Sequence, residues 1–166
     1  MIIRKYIYDN LSRVERLYSN SQDQKETLLF AKLYIIELCG WIEDTFDDLF
    51  YRCLKKNTKE INNEKYLKEL IKGNYGFSYE QHFRKILMII IGCLNFERIE
   101  KRIKLDKKEK FRLALNRLEE KRNIEAHSYL KQIRNIDAPS VANELFEDIC
   151  TGLREYYRQL KKLRIL

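Results

Sequence analysis

The sequence predicts an all-α protein, a single domain built as a helical bundle of about five to six helices around one long central helix. Apolar residues recur at three- and four-residue steps through most of the 166-residue chain. Only one proline and five glycines interrupt these runs, and no β-type alternation of any length is present. Hydrophobic residues make up 45% of the chain, which is enough to bury a core, and the length favours one domain over residues 1–166.

Two helices are expected in the first third of the chain. The first carries one apolar stripe, formed by Ile3, Ile7, Leu11, Val14 and Tyr18. In the polar stretch that follows, Asp23 and Glu26 have the spacing of a capping box. They predict a second helix from about 24 to 56, roughly 50 Å long at 1.5 Å per residue. Its apolar residues repeat every seven positions at Leu28, Ile35, Ile42 and Leu49, and its acidic cluster, which we expect to be solvated, is Glu43, Asp44, Asp47 and Asp48.

Shorter helices are expected next. A helix over about 65–72 precedes the loop "GNYGFS", and Ser78 with Gln81 predicts the cap of another helix. The buried face of that helix is expected to be Phe83, Ile86, Leu87, Ile90 and Leu94. The segment 95–110 has the pattern of a helical elbow, with a new helix starting near Asp106. After the break at Pro139, a last helix has a basic outer side formed by Arg154, Arg158, Lys161, Lys162 and Arg164.

The composition of the chain favours some classes of function and partner over others. The net charge of +8 and the pI of about 9.2 favour a nucleic-acid or acidic protein partner over a neutral metabolite. Four dispersed cysteines and two histidines, without a Cys-x-x-Cys pair, predict buried thiols and no structural zinc. The N-terminal "MIIRKYIYDN" lacks a signal-peptide pattern, and the apolar run "ILMIIIGCL" is too short to span a bilayer. We therefore expect a cytoplasmic protein with no membrane partner.

The most informative stretch is "KRNIEAHSY", residues 121–129. The apolar stripe of Phe111, Leu115 and Leu118 continues at positions 122 and 129, where Arg122 and Tyr129 replace the expected leucines. A buried guanidinium needs an anion or several acceptors, and such breaks in a pattern often mark functional sites. His127 follows Arg122 by five residues, about 140° around a regular helix. A two-fold dimer would let Arg122 and His127 from two copies line one cleft.

Arginine and histidine together suit cleavage of RNA through its own 2′-hydroxyl. Arginine presents a fixed fork to phosphate oxygens and can neutralise charge that develops on the phosphorus. Histidine titrates near neutrality and can take or give the proton. This chemistry needs no metal and no cofactor.

The stretch "RNIEAHSY" resembles the signature of HEPN domains, small α-helical domains with an Arg-x4–6-His motif in which the residue after the arginine is polar. The order of helices and the segment "GNYGFSYEQHFRKIL" are also similar to the family. The resemblance implies a metal-independent endoribonuclease, active as a homodimer with a composite site, in which Arg122, Asn123 and His127 are catalytic. It also implies a role as a toxin or antiviral defence effector. One branch carries Arg-x4-His-x-Tyr and is paired with a nucleotidyltransferase antitoxin that adenylylates the tyrosine, which here is Tyr129.

The sequence alone also allows other hypotheses about the binding residues and the function. Lys121 and the basic side of the last helix (Arg154, Arg158, Lys161 and Lys162) are candidates for holding an RNA backbone. His82 and the aromatic residues Tyr75, Phe77 and Tyr79 are weaker candidates for catalysis and base stacking. The main alternative function is a non-catalytic helical module that binds RNA or protein, such as an antitoxin-like or scaffold subunit.

Overall fold

The computed structural model describes residues 5–127 and 135–166, and these residues form seven α-helices and one π-helical turn, with no strand among them. The all-α class expected from the sequence is confirmed. The helices are α1 (Lys5–Asn20), α2 (Gln24–Asn57), α3 (Ile61–Lys72), α4 (Lys85–Ile91), α5 (Cys93–Arg102), α6 (Leu105–Ala126) and α7 (Pro139–Lys162), and the π-helical turn (Tyr79–Arg84) leads directly into α4.

Helix α2 is the central element of the bundle. It begins where the cap was expected, because the Glu26 backbone N–H donates to Asp23 Oδ2 at 3.1 Å. Its buried side includes Ile35, Ile42 and Leu49 from the predicted seven-residue repeat. Helices α1, α3, α4, α6 and α7 all pack against it. One long helix thus supplies a wall of the core to most of the other elements.

Helices α6 and α7 form an antiparallel pair beside α2. Near one end Lys107 donates to Glu155 Oε1 at 2.6 Å, and near the other end Lys121 pairs with Asp137. The two helices approach closely at Gly152, where an added Cβ would lie 2.3 Å from Phe111 Cγ. Glycine at this position lets the backbone of α7 rest on the Phe111 ring.

The π-helical turn, α5, α6 and α7 converge on an aromatic core. Its members are Tyr79, Phe83, Phe96, Phe111 and Tyr156. The hydroxyls of Tyr79 and Tyr156 lie 2.7 Å apart, and Tyr79 also donates to Glu100 Oε1 at 2.6 Å. Burial raises the pKa of both phenols above the ordinary value of 10.0. Both hydroxyls are therefore neutral at physiological pH and can donate within the core.

The segment after α4 differs from the sequence-based expectation. Gly92 has φ 84°, in the left-handed region that favours glycine, and it separates α4 from α5. The helix α5 occupies the first half of the expected elbow, and Leu94, predicted to be buried, is 71% exposed. The break at Gly92 rotates the following residues off the stripe that Ile86, Leu87 and Ile90 share.

Two further findings bear on earlier expectations. Cys39, Cys53 and Cys150 are buried, but Cys93 is exposed, because it starts α5 after the Gly92 break. Burial raises the pKa of Cys53 to about 12. Within the described residues, no helix combines the length and the apolarity that crossing a bilayer requires.

Candidate functional site

Arg122 lies near the C-terminal end of α6 and connects three elements of the bundle. Its Nη2 donates to Glu43 Oε1 on α2 at 2.5 Å, and its Nη1 donates to Asn123 Oδ1 at 3.1 Å. The guanidinium carbon lies 5.9 Å from the centroid of the Phe77 ring, within range of a cation–π contact. Only 25% of the Arg122 side chain is exposed. The anion that this half-buried cation requires is therefore Glu43, which corrects the expectation that the whole acidic cluster is solvated.

The stripe on α6 changes from apolar to polar at this point, as the leucine spacing indicated. Phe111, Leu115 and Leu118 are fully buried, and Arg122 follows them on the same side. One turn later the stripe carries Glu125, which is 6% exposed and is one of two buried polar residues among those described. The end of α6 therefore presents charged groups where a core helix would carry apolar ones.

His127 lies at the end of the same helix but in a different environment. It is the C-cap residue of α6, its side chain is exposed, and its backbone N–H donates to Asn123 O at 3.3 Å. Asn123 is also exposed, and it thus contacts Arg122 through its side chain and His127 through its backbone. Arg122 faces α2, whereas His127 faces away from the core. Tyr129 lies outside the described residues, as does the rest of 128–134.

Glu119, one turn before Arg122, fastens the loop 73–78 onto α6. Its Oε1 accepts from the backbone N–H groups of Phe77 at 3.0 Å and Ser78 at 2.9 Å. His82 Nδ1 lies 3.2 Å from the same oxygen and 2.7 Å from Ser78 Oγ. Glu119 therefore joins the loop 73–78 to α6 through hydrogen bonds. The bonds fix Phe77 in position beneath Arg122.

The helical turn after this loop is capped differently from the sequence-based expectation. Ser78 is the N-cap residue but makes no side-chain cap bond, since its hydroxyl contacts His82. The backbone N–H of Tyr79 instead donates to Asn116 Oδ1 on α6 at 3.1 Å. Phe77 and Tyr79 are buried, so neither ring can stack on an RNA base, whereas Tyr75 is 85% exposed.

The basic residues expected to hold RNA differ in how far their charge is compensated. Lys121 pairs with Asp137, and Arg158 donates twice to Glu155 Oε2, at 3.1 and 2.5 Å. The hydrogen bonds from Lys107 and Arg158 lower the pKa of Glu155, so it stays ionised. The other basic residues of the α7 surface, Arg154, Lys161 and Lys162, are exposed and have no carboxylate partner within the described ranges.

Neither the search for metal ligands nor the comparison with known proteins identifies a function for this chain. Among residues 5–127 and 135–166, no cluster of three or more His, Cys, Asp or Glu side chains is placed to hold a metal ion. No protein-family model, curated protein or solved structure matches this chain. The geometry around Arg122 and His127 is therefore the basis for a functional proposal.

Proposed function

We propose that this protein is a metal-independent endoribonuclease of the HEPN type that acts as a homodimer, with RNA as its substrate, in antiviral defence or as the toxin of a toxin–antitoxin pair. The observation that carries the proposal is the polar end of α6. There a half-buried Arg122, which Glu43 and Asn123 hold in place, lies five residues before an exposed His127. A guanidinium can bind phosphate oxygens and an imidazole can transfer protons, so this helix end carries both groups that cleavage of a phosphodiester needs.

The proposed reaction uses the 2′-hydroxyl of the substrate as the nucleophile. The 2′-oxygen forms a bond to phosphorus while the bond to the 5′-oxygen breaks, which gives a 2′,3′-cyclic phosphate and a 5′-hydroxyl. His127 takes the proton of the 2′-hydroxyl or gives one to the leaving oxygen, a role worth about 10²- to 10⁴-fold in rate. Arg122 neutralises charge that develops on the phosphoryl oxygens. Asn123 orients Arg122 through the 3.1 Å bond from Nη1 to Oδ1.

The surface beside the motif supports a dimer. Ile124 is 59% exposed and Val141 is 40% exposed. Together with Leu145 they form the apolar part of a groove of about 430 Å³ between α6 and α7, whose other lining residues are charged. A second copy seated there would remove apolar surface from water, which favours association. It would also bring two copies of the α6 end, each with Arg122 and His127, towards one another.

The decisive experiment measures cleavage of a labelled RNA in a buffer with excess EDTA. We expect His127→Ala and Arg122→Ala each to lower the rate by about 100-fold or more. Arg112→Ala is the matched control, because Arg112 also lies on α6 and also donates to a glutamate, Glu109, at 2.7 Å. Circular dichroism should show unchanged helix content in all three variants. Cleavage by His127→Ala at the wild-type rate would exclude the mechanism.

The ion pair of Arg122 with Glu43 gives specific support to a second candidate, a non-catalytic module that binds RNA or protein, such as an antitoxin-like or scaffold subunit. In that case Arg122 serves packing and the basic surface supplies the binding. The two candidate functions differ in whether the wild-type protein forms a 2′,3′-cyclic phosphate product. Binding that survives His127→Ala, with no 2′,3′-cyclic phosphate from the wild-type protein, favours the module. Adenylylation of Tyr129 by a partner nucleotidyltransferase, detected by mass spectrometry, favours the toxin.

A further inference from the structure

The C-terminal ends of α2 and α7 meet at one corner of the bundle. Asn57, the last residue of α2, donates from Nδ2 to Ile165 O, just beyond α7, at 2.9 Å. The same nitrogen lies 2.6 Å from Cys53 O in the preceding turn of α2. The bond to Ile165 O ties the two helix ends together. Side chains that project from both ends therefore lie on the surface at the same end of the bundle.

That surface is strongly basic. It carries six exposed cations, here named the cationic corner: Lys55, Lys56, Lys59, Lys161, Lys162 and Arg164. Within the described residues none of these six has a carboxylate partner, whereas Arg52 pairs with Asp48 at 2.9 Å one turn earlier. The next carboxylate along the chain, Glu60, caps α3 by accepting from the Asn63 N–H at 2.8 Å.

The interaction with helix dipoles accounts for the presence of cations at only four of these six positions. Lysines in the last turn of a helix interact favourably with its C-terminal end, and Lys55, Lys56, Lys161 and Lys162 hold such positions. Lys59 and Arg164 lie beyond the ends of α2 and α7, where this effect has faded. Their presence calls for another explanation, and an external anion provides one.

Arg164 also occupies a backbone conformation that disfavours it. Its φ is 57°, the left-handed value found after helix ends, where glycine is the favoured residue. The Ile165 N–H donates back to Leu160 O at 3.0 Å and completes this helix-ending turn. A side chain other than glycine or asparagine is strained there. The chain thus keeps a cation at a position where glycine would be more stable, and retained strain of this kind often accompanies function.

We propose that the cationic corner binds the phosphate backbone of the substrate RNA at a distance from the scissile bond. This inference rests on the proposed ribonuclease function. Asn57 follows Glu43, the partner of Arg122, by 14 residues on α2, which corresponds to about 21 Å along the helix axis. At 3.4 Å per stacked nucleotide that separation equals about six nucleotides. The substrate is therefore an RNA that extends about six stacked nucleotides from the cut.

A neighbouring groove favours single-stranded over duplex RNA. It has a volume of about 360 Å³, lies between the α2–α3 connection and α4, and is lined by Lys59 of the cationic corner and by Tyr66. The Tyr66 side chain is 65% exposed. An exposed ring beside a phosphate-binding surface can stack on an unpaired base, which a duplex does not offer.

The first test measures binding of a fluorescent single-stranded RNA of about 12 nucleotides, long enough to span the corner and the cut. All proteins carry His127→Ala so that the RNA stays intact. The corner variant combines Lys55→Gln, Lys161→Gln and Arg164→Gly. The control combines Arg13→Gln, Arg16→Gln and Lys25→Gln, which removes the same charge from exposed positions near the other end of α2.

We expect the corner variant to bind about tenfold more weakly at low salt and the control to bind like its parent. The slope of log K against log salt should fall by about 2 in the corner variant, since each lost phosphate contact contributes about 0.7 for a single strand. Arg164→Gly alone should weaken binding without lowering the melting temperature, because it relieves the strained φ. Equal affinity of the corner and control variants would overturn the proposal.

A second test separates this inference from the proposed function. With His127 intact, the corner variant should cleave the long RNA about tenfold more slowly but a dinucleotide RNA at the wild-type rate, because the one phosphodiester of a dinucleotide is the scissile one and no phosphate is left to reach the corner. If the wild-type protein cuts no RNA while the corner variant still loses binding, the ribonuclease assignment fails and the RNA-binding surface stands. If only binding to phosphatidylserine vesicles depends on the corner, a membrane surface is the ligand and the RNA proposal fails.

Discussion

Replacing Glu43 with Gln removes the charge that holds Arg122 while keeping the size of the side chain and one acceptor oxygen. Replacing Arg122 with Gln removes the cation. The two single variants and the double variant form a double-mutant cycle, which isolates the free energy of the pair from the other effects of each substitution. The cycle tests whether an ion pair between Arg122 and Glu43 joins α6 to α2.

The coupling free energy can be estimated from the geometry of the Arg122–Glu43 contact and from the solvent exposure of the two side chains. A hydrogen bond to a charged group contributes about 1.5 to 3 kcal/mol when it is shielded from water. Arg122 and Glu43 keep 25% and 36% of their side-chain exposure, so solvent screens part of that attraction. Their geometry is nevertheless favourable, since Nη2 and Oε1 lie 2.5 Å apart and the Phe77 ring covers one side of the guanidinium. We expect a coupling free energy of about 1 to 2 kcal/mol.

Urea unfolding followed by circular dichroism gives the free energy of unfolding of the four proteins. A coupling of 1 to 2 kcal/mol that decreases with added salt supports the pair. The cycle on Arg112 and Glu109, a partly exposed i, i+3 pair within α6, should give a smaller coupling free energy than the cycle on Arg122 and Glu43. Additive effects of the Glu43 and Arg122 substitutions would show that the pair does not form in solution. Glu43 would then not hold the Arg122 guanidinium in position to bind phosphate.

Two predictions concern the bundle itself. Gly152→Ala should lower the free energy of unfolding by about 3 kcal/mol, because its Cβ would lie 2.3 Å from Phe111 Cγ, whereas Gly40→Ala, with nothing within 4 Å in the middle of α2, should raise it by about 0.5 to 1 kcal/mol. Similar stability of the two variants in urea would refute the close packing of α6 on α7. Burial raises the pKa of Tyr34 from 10.0 to about 12. The unfolded chain therefore loses this proton first, so the free energy of unfolding should fall as pH rises from 10 towards 12, and Tyr34→Phe should weaken that fall. An unchanged pH dependence in Tyr34→Phe would contradict the assignment.

Local signals were sufficient for most of the helices. The cap at Asp23 and the seven-residue repeat predicted α2 closely, because capping and amphipathicity depend on neighbours within one or two turns. The same reasoning failed after Ile91. Gly92 can continue a helix or end it, and the apolar spacing that runs on to Leu94 favoured continuation. Only the packing of α5 on α7 and the positive φ of Gly92 decide between the two.

The candidate site could be predicted in part, because the apolar spacing on α6 is also a local pattern. The leucine spacing on α6 showed that position 122 faces inward, so a charged residue there needed a partner. It did not reveal the partner, because Glu43 is 79 residues away in the sequence and its own surroundings looked like a solvated acidic face. The bonds from Glu119 to the loop 73–78 were missed likewise, since they join residues about 40 positions apart. Long-range polar contacts of this kind depend on the tertiary arrangement.

The ion pair with Glu43 is compatible with a role for Arg122 in binding phosphate. A guanidinium has five N–H donors, and contacts within the described residues use two of them. The remaining donors can bind phosphoryl oxygens without breaking the bond to Glu43. The carboxylate reduces the net positive charge, but it also fixes the plane of the guanidinium, and a fixed donor loses less conformational entropy when the phosphate arrives. A partner on a different helix thus makes Arg122 tolerable in a half-buried position and keeps it oriented for an anionic ligand.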